Sequence, residues 1–310
     1  MPVMDTNPAF RTETRPYGKA AIADAARLIQ AGHCLAVATE TVYGLAADAT
    51  NGDAVARIYA AKGRPSFNPL IVHVADLEAA EEIAMFSETA RALAKAYWPG
   101  ALTLVLPLRP DSGIASLVTA GLSTVAIRCP AHPAIQDLLR ESGRPLAAPS
   151  ANASGSISPT KADHVARTLS GRIPMIIDAG PTAHGLESTI IAVDGDHVRL
   201  LRPGPIDLAL ALEAASTIQA PGQLDSHYAP TKPLRLNATS AQADEWLIGF
   251  GDMACDANLS PSGNLIEAAA KLFDLLHAAD ESPRPRITIA PVPFGGLGDA
   301  INDRLKRAAA

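Results

Sequence analysis

At 310 residues the chain is long enough for two separate cores. Hydrophobic residues make up 48% of it, which argues against a disordered chain, and a formal net charge of −6 argues against an open basic face for nucleic acid. The acidity is local: residues 206–310 hold 8 Lys and Arg against 13 Asp and Glu, leaving 18 against 19 in residues 1–205. The first part can therefore hide a basic cluster, of a kind suited to small polyanions.

Met1 to Pro16 is polar and lacks the apolar core of a signal peptide. No run approaches the ~18 apolar residues of a membrane span, so a cytoplasmic location is expected. The three cysteines, Cys34, Cys129 and Cys255, show no paired or metal-ligand spacing and are expected to be reduced thiols.

Taken in chain order, residues 19–31 are predicted to form a helix, with Ile22, Ala25, Ala26 and Ile29 on one face and Gly32 as its stop. A strand from Cys34 to Thr39 leads into a turn carrying Glu40-Thr41-Val42-Tyr43-Gly44-Leu45. A helix over 53–61 breaks at Lys62-Gly63-Arg64-Pro65. Leu70 to Val74 is short and β-branched, and so predicts a buried strand. Helical patterns fill 76–97 up to Trp98-Pro99-Gly100. Strands at 101–108 and 124–129, a helix at 133–141 and a strand from Pro145 to Pro149 follow. A loop of small residues, Ser150 to Ser156, precedes a helix after Pro159, a strand at 175–178 and a hairpin over 188–201 turning at Asp194-Gly195-Asp196.

A helix is expected at 207–215. The proline-bearing segment Thr217 to Pro233 has almost no periodicity and reads as a linker. Beyond it, strand 234–236, helix 240–246, strand 247–250, helix 264–278, strand 287–290 and helix 297–309 predict a small parallel α/β unit. The expected organisation is a catalytic domain over 13–216, a linker over 217–233 and a C-terminal domain over 234–310.

Several patterns carry chemistry. Lys62 and Arg64 flank a glycine at a helix end, a pairing suited to polyphosphate, although cations there also complement the helix dipole. Ser150-Ala151-Asn152 with Gly155, Ser156 and Ser158 leaves a strand and precedes a helix. Small residues there let backbone N–H groups approach an anion, or simply form an ordinary capped loop. Arg128 and Arg202 each end an apolar strand, as a carboxylate or phosphate clamp would, or as a solvated strand-end charge. His73 lies within an apolar strand, where a buried core histidine is the common outcome. Glu187-Ser188-Thr189 could bind ligand hydroxyls or stabilise its turn. Neither a P-loop nor a dinucleotide fingerprint is present, and no Ser-His-Asp, Cys-His or metal-ligand constellation can be argued from spacing. The pattern suits a reaction in which the substrates attack one another while the protein positions them and neutralises charge.

In their order, Glu40-Thr41-Val42-Tyr43-Gly44-Leu45, Lys62-Gly63-Arg64-Pro65 with Asn68-Pro69-Leu70, and Trp98-Pro99-Gly100 closely resemble the YrdC family. So do Pro149-Ser150-Ala151-Asn152, Ser158-Pro159-Thr160, Glu187-Ser188-Thr189 and Arg202-Pro203-Gly204. His227-Tyr228-Ala229-Pro230 and the stretch Gly296 to Leu305 resemble its long, two-domain Sua-type branch. The linker departs from the usual opening: it has Ala220-Pro221-Gly222-Gln223 where relatives commonly have Ser-Pro-Gly-Met.

The resemblance implies an α/β fold: a twisted mixed sheet with flanking helices around a deep cavity, plus a small Rossmann-like C-terminal domain. It implies an L-threonylcarbamoyladenylate synthase, which condenses L-threonine, bicarbonate or CO₂, and ATP to threonylcarbamoyl-AMP and pyrophosphate. A downstream transferase complex would then modify a tRNA adenosine beside the anticodon, and tRNA itself is not expected to bind this chain tightly. By the same resemblance, Arg64, Asn68, Thr124, Ser150, Ser158, Arg202 and Tyr228 would contact ATP. Thr41, His73, Arg128, the Ala148 backbone and Ser188 would surround threonine. Lys62, Arg64 and Asn152 would serve the reacting phosphates. Mg²⁺ would be held mainly by the ATP phosphates, with Ser150 and Asn152 nearby and no dedicated metal ligands. Two other readings are an RNA-binding module, disfavoured by acidity and 4% aromatics, and a carbamoyl-phosphate-dependent transferase, disfavoured by the lack of zinc-finger-like Cys motifs.

Overall fold

The computed structural model describes residues 10–64, 68–210 and 227–310. Strand β1 (Glu13–Pro16) and helix α1 (Lys19–Gln30) open the chain, and the latter buries Ala21, Ile22, Ala25, Ala26 and Ile29 on one face. Strands β2 (Leu35–Ala38) and β3 (Tyr43–Asp48) pair antiparallel across a four-residue turn. Helix α2 (Gly52–Lys62) is capped by the Asn51 side chain, which accepts from the N–H groups of Asp53 and Ala54. It stops at Gly63, which adopts a left-handed φ of 61°.

Next come β4 (Ile71–His73), α3 (Leu77–Glu81), α4 (Glu88–Tyr97), β5 (Leu102–Pro107), α5 (Ser116–Thr119), β6 (Thr124–Arg128), α6 (Pro133–Ser142) and β7 (Leu146–Ala147). Helix α7 (Ala162–Leu169) and strands β8 (Met175–Asp178), β9 (Thr189–Asp194) and β10 (His197–Arg202) complete a ten-stranded mixed sheet. Its order is β1-β8-β2-β3-β7-β4-β6-β5-β9-β10.

Alternation along the strands sets the two faces of this sheet. Val72, Val125, Ile127 and Leu104 pack into one core cluster with Val55 and Ile58 of α2, whereas Ile71, Val105, Ala126 and Ile190 form a small cluster on the other face. His73 and Arg128, two residues beyond Ile71 and Ala126, are cross-strand partners on that second face.

The smaller unit comprises β11 (Leu234–Arg235), β12 (Glu245–Gly249), β13 (Ala257–Asn258), α8 (Leu265–Glu281), β14 (Arg286–Ile289) and α9 (Leu297–Ala308). Its sheet, ordered β11-β14-β12-β13, is parallel throughout. One apolar cluster crosses between the units: Val42, Ile157, Leu186 and Tyr228 pack with Leu272 and Phe273 of α8 and Leu305 of α9. Contact is close enough at Gly185 (φ 70°) that a Cβ would stand 2.4 Å from the Ala269 carbonyl oxygen.

Several sequence-based expectations are corrected. Residues 240–246 are not a helix; the chain turns at 243–244 and enters β12 at Glu245. The segment is too short to gain from a helical face, and the Glu245 carboxylate is held by the Arg235 guanidinium and the Gln242 N–H. Residues 207–210 are likewise non-helical, and the rest of the helix expected over 207–215 lies outside the described residues. So do residues 217–226 of the expected linker, including Ala220 to Gln223, and Pro65. Part of the stretch expected as a turn, Tyr43 to Leu45, belongs to strand β3, and β1, α5 and β13 were not expected.

Candidate active site

The ends of β4 and β6, the β2–β3 turn, the loop after β7 and the start of β9 enclose one cavity of about 50 Å³. His227 and Tyr228 also form part of its wall. Ligand sites usually measure roughly 300–1,000 Å³, so with these two rings seated the space is nearly filled.

Three buried guanidinium groups reach this small volume. Arg128 donates through Nε to the Gly100 carbonyl at 3.0 Å, through Nη1 to Thr41 Oγ1 at 3.0 Å and through Nη2 to Glu40 Oε1. Two of its five N–H groups remain, enough to take a further carboxylate. Arg202 donates to the Ser188 carbonyl from Nε (3.1 Å) and Nη2 (2.9 Å), and Nη2 also meets Ser188 Oγ at 3.1 Å. Arg64, delivered by the reversal at Gly63, donates through Nη2 to the Pro69 carbonyl at 3.1 Å. Burial pushes the Arg64 guanidinium down to about 10, so it stays cationic at neutral pH.

Two carboxylates balance this charge. Burial alone would raise Glu40 and Glu187, but Arg128 beside the first and Arg304 with Arg202 beside the second hold both below the usual range. Glu187 Oε1 accepts the Ser158 hydroxyl at 2.5 Å, and Oε2 accepts Arg304 Nε at 2.9 Å. His73 is kept neutral, its imidazole pushed down to about 3 by burial first and Arg128 second.

Several buried polar atoms here have no protein partner. They include Tyr228 Oη, His227 Nδ1, His73 Nδ1 and Asn68 Oδ1. A folded protein rarely leaves such atoms unsatisfied, because each costs roughly 1–3 kcal/mol. Around a cavity they point to a ligand or ordered water.

The residues selected from sequence fall into three groups. Thr41, Arg64, His73, Arg128, Ala148, Ser150, Ser188, Arg202 and Tyr228 all line the cavity. Lys62, Asn68, Asn152 and Ser158 stand one contact behind it. The Lys62 ammonium donates to the carbonyls of Ser150 (2.6 Å) and Asn152 (2.5 Å) and to Asn152 Oδ1 (3.3 Å), and burial followed by Arg64 pushes its pKa well down. Asn152 Nδ2 donates to the Ser156 carbonyl at 2.7 Å, so both ends of that amide are used within the loop. The Asn68 carbonyl lies 3.4 Å from Arg64 Nε. Thr124, at the far end of β6 from Arg128, shares the strand face of Ala126 but does not line the enclosed space.

Three charged residues were not selected from sequence: Glu40, Glu187 as an ion-pair partner, and Arg304. All three sit inside quoted motifs, Arg304 within Gly296 to Leu305. Arg304 lies 117 positions from Glu187, and only the packing of the two units joins them.

A larger cavity of about 580 Å³ lies between the units, bordered by Leu200, Ile206, Leu236 and Phe294. Its charged lining is mostly acidic, Asp207, Asp299 and Asp303 against Lys306, the wrong sign for a polyphosphate.

Known proteins resemble the chain over nearly its whole length. A family described as "Telomere recombination", of the Sua5, YciO and YrdC proteins, matches residues 27–204. One described as "Threonylcarbamoyl-AMP synthase, C-terminal domain" matches residues 198–310. The threonylcarbamoyl-AMP synthase of Bacillus subtilis is 44% identical, covering 93% of this chain and 92% of that protein. The Pyrococcus abyssi protein of the same name is 39% identical, covering 92% and 93%. A crystal structure of P. abyssi Sua5 complexed with L-threonine superposes with a TM-score of 0.87 at 36% identity, over 96% of this chain and 97% of that one. The chain belongs to the two-domain threonylcarbamoyl-AMP synthase family.

Proposed function

We propose that this chain condenses L-threonine, bicarbonate or CO₂, and ATP into threonylcarbamoyl-AMP and pyrophosphate, and that a separate transferase complex carries the product to a tRNA adenosine. The observation that supports it most is the convergence of Arg64, Arg128 and Arg202 on one cavity in a chain of this family.

In this reading the threonine carboxylate takes the two remaining N–H groups of Arg128, with Thr41 and Ser188 beside it. Neutral His73 adds no competing positive charge there. The neutral threonine amine attacks CO₂ and the adduct loses a proton to water or bicarbonate, after which an oxygen of the resulting carbamate attacks the α-phosphorus while pyrophosphate leaves. Arg64 and Arg202 offset the charge that builds on the phosphates. Lys62 acts through the Ser150–Asn152 loop, whose carbonyls it gathers, rather than by facing the cavity.

Mg²⁺ would enter with the nucleotide and neutralise phosphate charge. Of the two side chains expected near it, Ser150 lines the cavity, whereas the Asn152 amide is already used by Lys62 and Ser156. Among the described residues no helix is long and apolar enough to cross a membrane. With three free cysteines, this supports a cytoplasmic setting.

The test is to incubate the protein with ATP, Mg²⁺, L-threonine and bicarbonate and to seek threonylcarbamoyl-AMP promptly by mass spectrometry. Product that disappears when threonine or bicarbonate is omitted supports the reading. A folded, ATP-binding protein that makes none under any of these conditions rejects it.

A further inference from the structure

Among the described residues Arg304 is the largest fully buried side chain, and it belongs to the C-terminal unit rather than to the one that carries the cavity. Its Nε donates to Glu187 Oε2 at 2.9 Å, Nη2 approaches the Glu187 carbonyl at 3.5 Å, and Nη1 donates to Asp303 Oδ2 at 2.8 Å. The guanidinium carbon lies 5.5 Å from the centre of the Tyr228 ring. Glu187 and Tyr228 both line the cavity. A single cation from α9 therefore touches the wall of the site and its aromatic cover.

Adhesion between the units does not require this residue. The shared apolar cluster already crosses the boundary, and Lys161–Asp274 and Arg167–Glu281 bridge it at the partly exposed rim. Taking a guanidinium fully out of water is costly, and an apolar side chain of similar volume docks two surfaces at least as well. What a buried guanidinium adds is a fixed direction for the carboxylate it pairs with.

We propose that Arg304 is a positioning residue for the adenylate-forming site: it keeps the Glu187 carboxylate turned toward Ser158 and seats the Tyr228 ring over the cavity. The proposal rests on the function proposed above. Without Arg304, Glu187 is free to pair with Arg202, whose charge already acts on it, and to compete there with the nucleotide phosphates. Docking of the C-terminal unit is thereby read directly at the ATP-binding surface.

The experiment uses the full chain, after the parent protein has been shown to form product dependent on threonine and bicarbonate. Arg304→Met is expected to raise the KM for ATP about tenfold or more while the KM for threonine changes by less than about threefold. Adding Glu187→Gln, which keeps an acceptor for Ser158 and removes the competing charge, is expected to restore most of the loss. A purely structural role predicts the reverse: kcat falling with the folded fraction, KM unchanged, and no rescue. Either that pattern or an ATP KM within about twofold of the parent in the folded variant overturns the proposal. Should Arg304→Met fail to fold, Arg304→Lys takes its place, with an intermediate rise and the same rescue expected and a parental KM overturning the idea. A parent protein that forms no product defeats the functional reading itself, and this inference with it.

Discussion

Replacing Lys62 by Met retains the unbranched stem and removes only the ammonium. That group is buried at the end of α2 and gathers three oxygens of the Ser150–Asn152 loop, two of them main-chain carbonyls at 2.6 and 2.5 Å. A hydrogen bond from a charged donor contributes roughly 1.5–3 kcal/mol, so the two short bonds sum to about 3–6 kcal/mol. The variant is spared the desolvation of the ammonium, and water entering the loop re-partners the carbonyls in part. A net loss of about 2–4 kcal/mol in the stability of the first unit is therefore expected. Urea unfolding followed by fluorescence reports this: Trp98 lies in the first unit and Trp246 in the second, and single-Trp backgrounds separate the two transitions. Product formation is expected to fall at least about tenfold, because a displaced loop moves Ser150 at the cavity wall. A change below about 0.5 kcal/mol with turnover retained would refute the argument that the ammonium organises this loop.

Three further outcomes are expected. Tyr228→Phe removes a buried hydroxyl that has no protein partner. Stability in the absence of ligand should stay level or rise by up to about 1 kcal/mol while turnover drops, and a lower unfolding midpoint with normal turnover contradicts a ligand role for the hydroxyl. Arg128→Lys keeps the charge but loses the fork that spans Gly100, Thr41 and Glu40. It should weaken threonine binding about tenfold or more with little change in ATP affinity, as measured by calorimetry. Burial holds His73, His164 and His227 near 3 and His277 near 4, against an unfolded value near 6.5. The unfolded chain then binds more protons between these limits, so the contribution of these imidazoles to stability falls as pH drops from about 6.5 toward 3 and is constant above that range. The depressed Glu40 and Glu187 act in the same direction at lower pH, and a urea midpoint that rose on acidification would contradict the burial of these imidazoles.

Much of the fold was legible because its strands are short β-branched runs and its stops are glycines. Leu70 to Val74, Thr124 to Arg128 and the turn at Asp194-Gly195-Asp196 all lie where their composition puts them. Tyr43 to Asp48 was harder to read. Its Gly and two Ala residues give little strand propensity, and it is a strand because every one of its residues is buried between β2 and β7. The window 240–246 misled in the opposite direction: Ala, Gln and Glu favour a helix locally, yet Glu245 is fixed by an arginine on another strand. At the site, arginines ending apolar strands proved informative, since a strand end places its last side chain at the sheet margin where a cleft forms. The carboxylates of the site were not legible in the same way. Glu40 and Glu187 acquire their meaning from residues 88 and 117 positions away, a separation at which sequence spacing carries no geometric information.

The cavity of about 50 Å³ beneath Tyr228 has a kinetic consequence. A space that small cannot hold a nucleotide, so on the function proposed above the Tyr228 ring would have to withdraw before ATP could enter. The apparent affinity for ATP would then be the intrinsic affinity multiplied by the fraction of molecules in which the ring has withdrawn. Substitutions of the ring itself would then look like improvements in a binding assay while uncovering a water-labile carbamate during turnover, whereas Arg304→Met also frees Glu187 to compete with the phosphates and so weakens ATP binding on balance. On that reading tight nucleotide binding and a protected intermediate would be opposed properties, with the seating of one aromatic ring setting the balance between them.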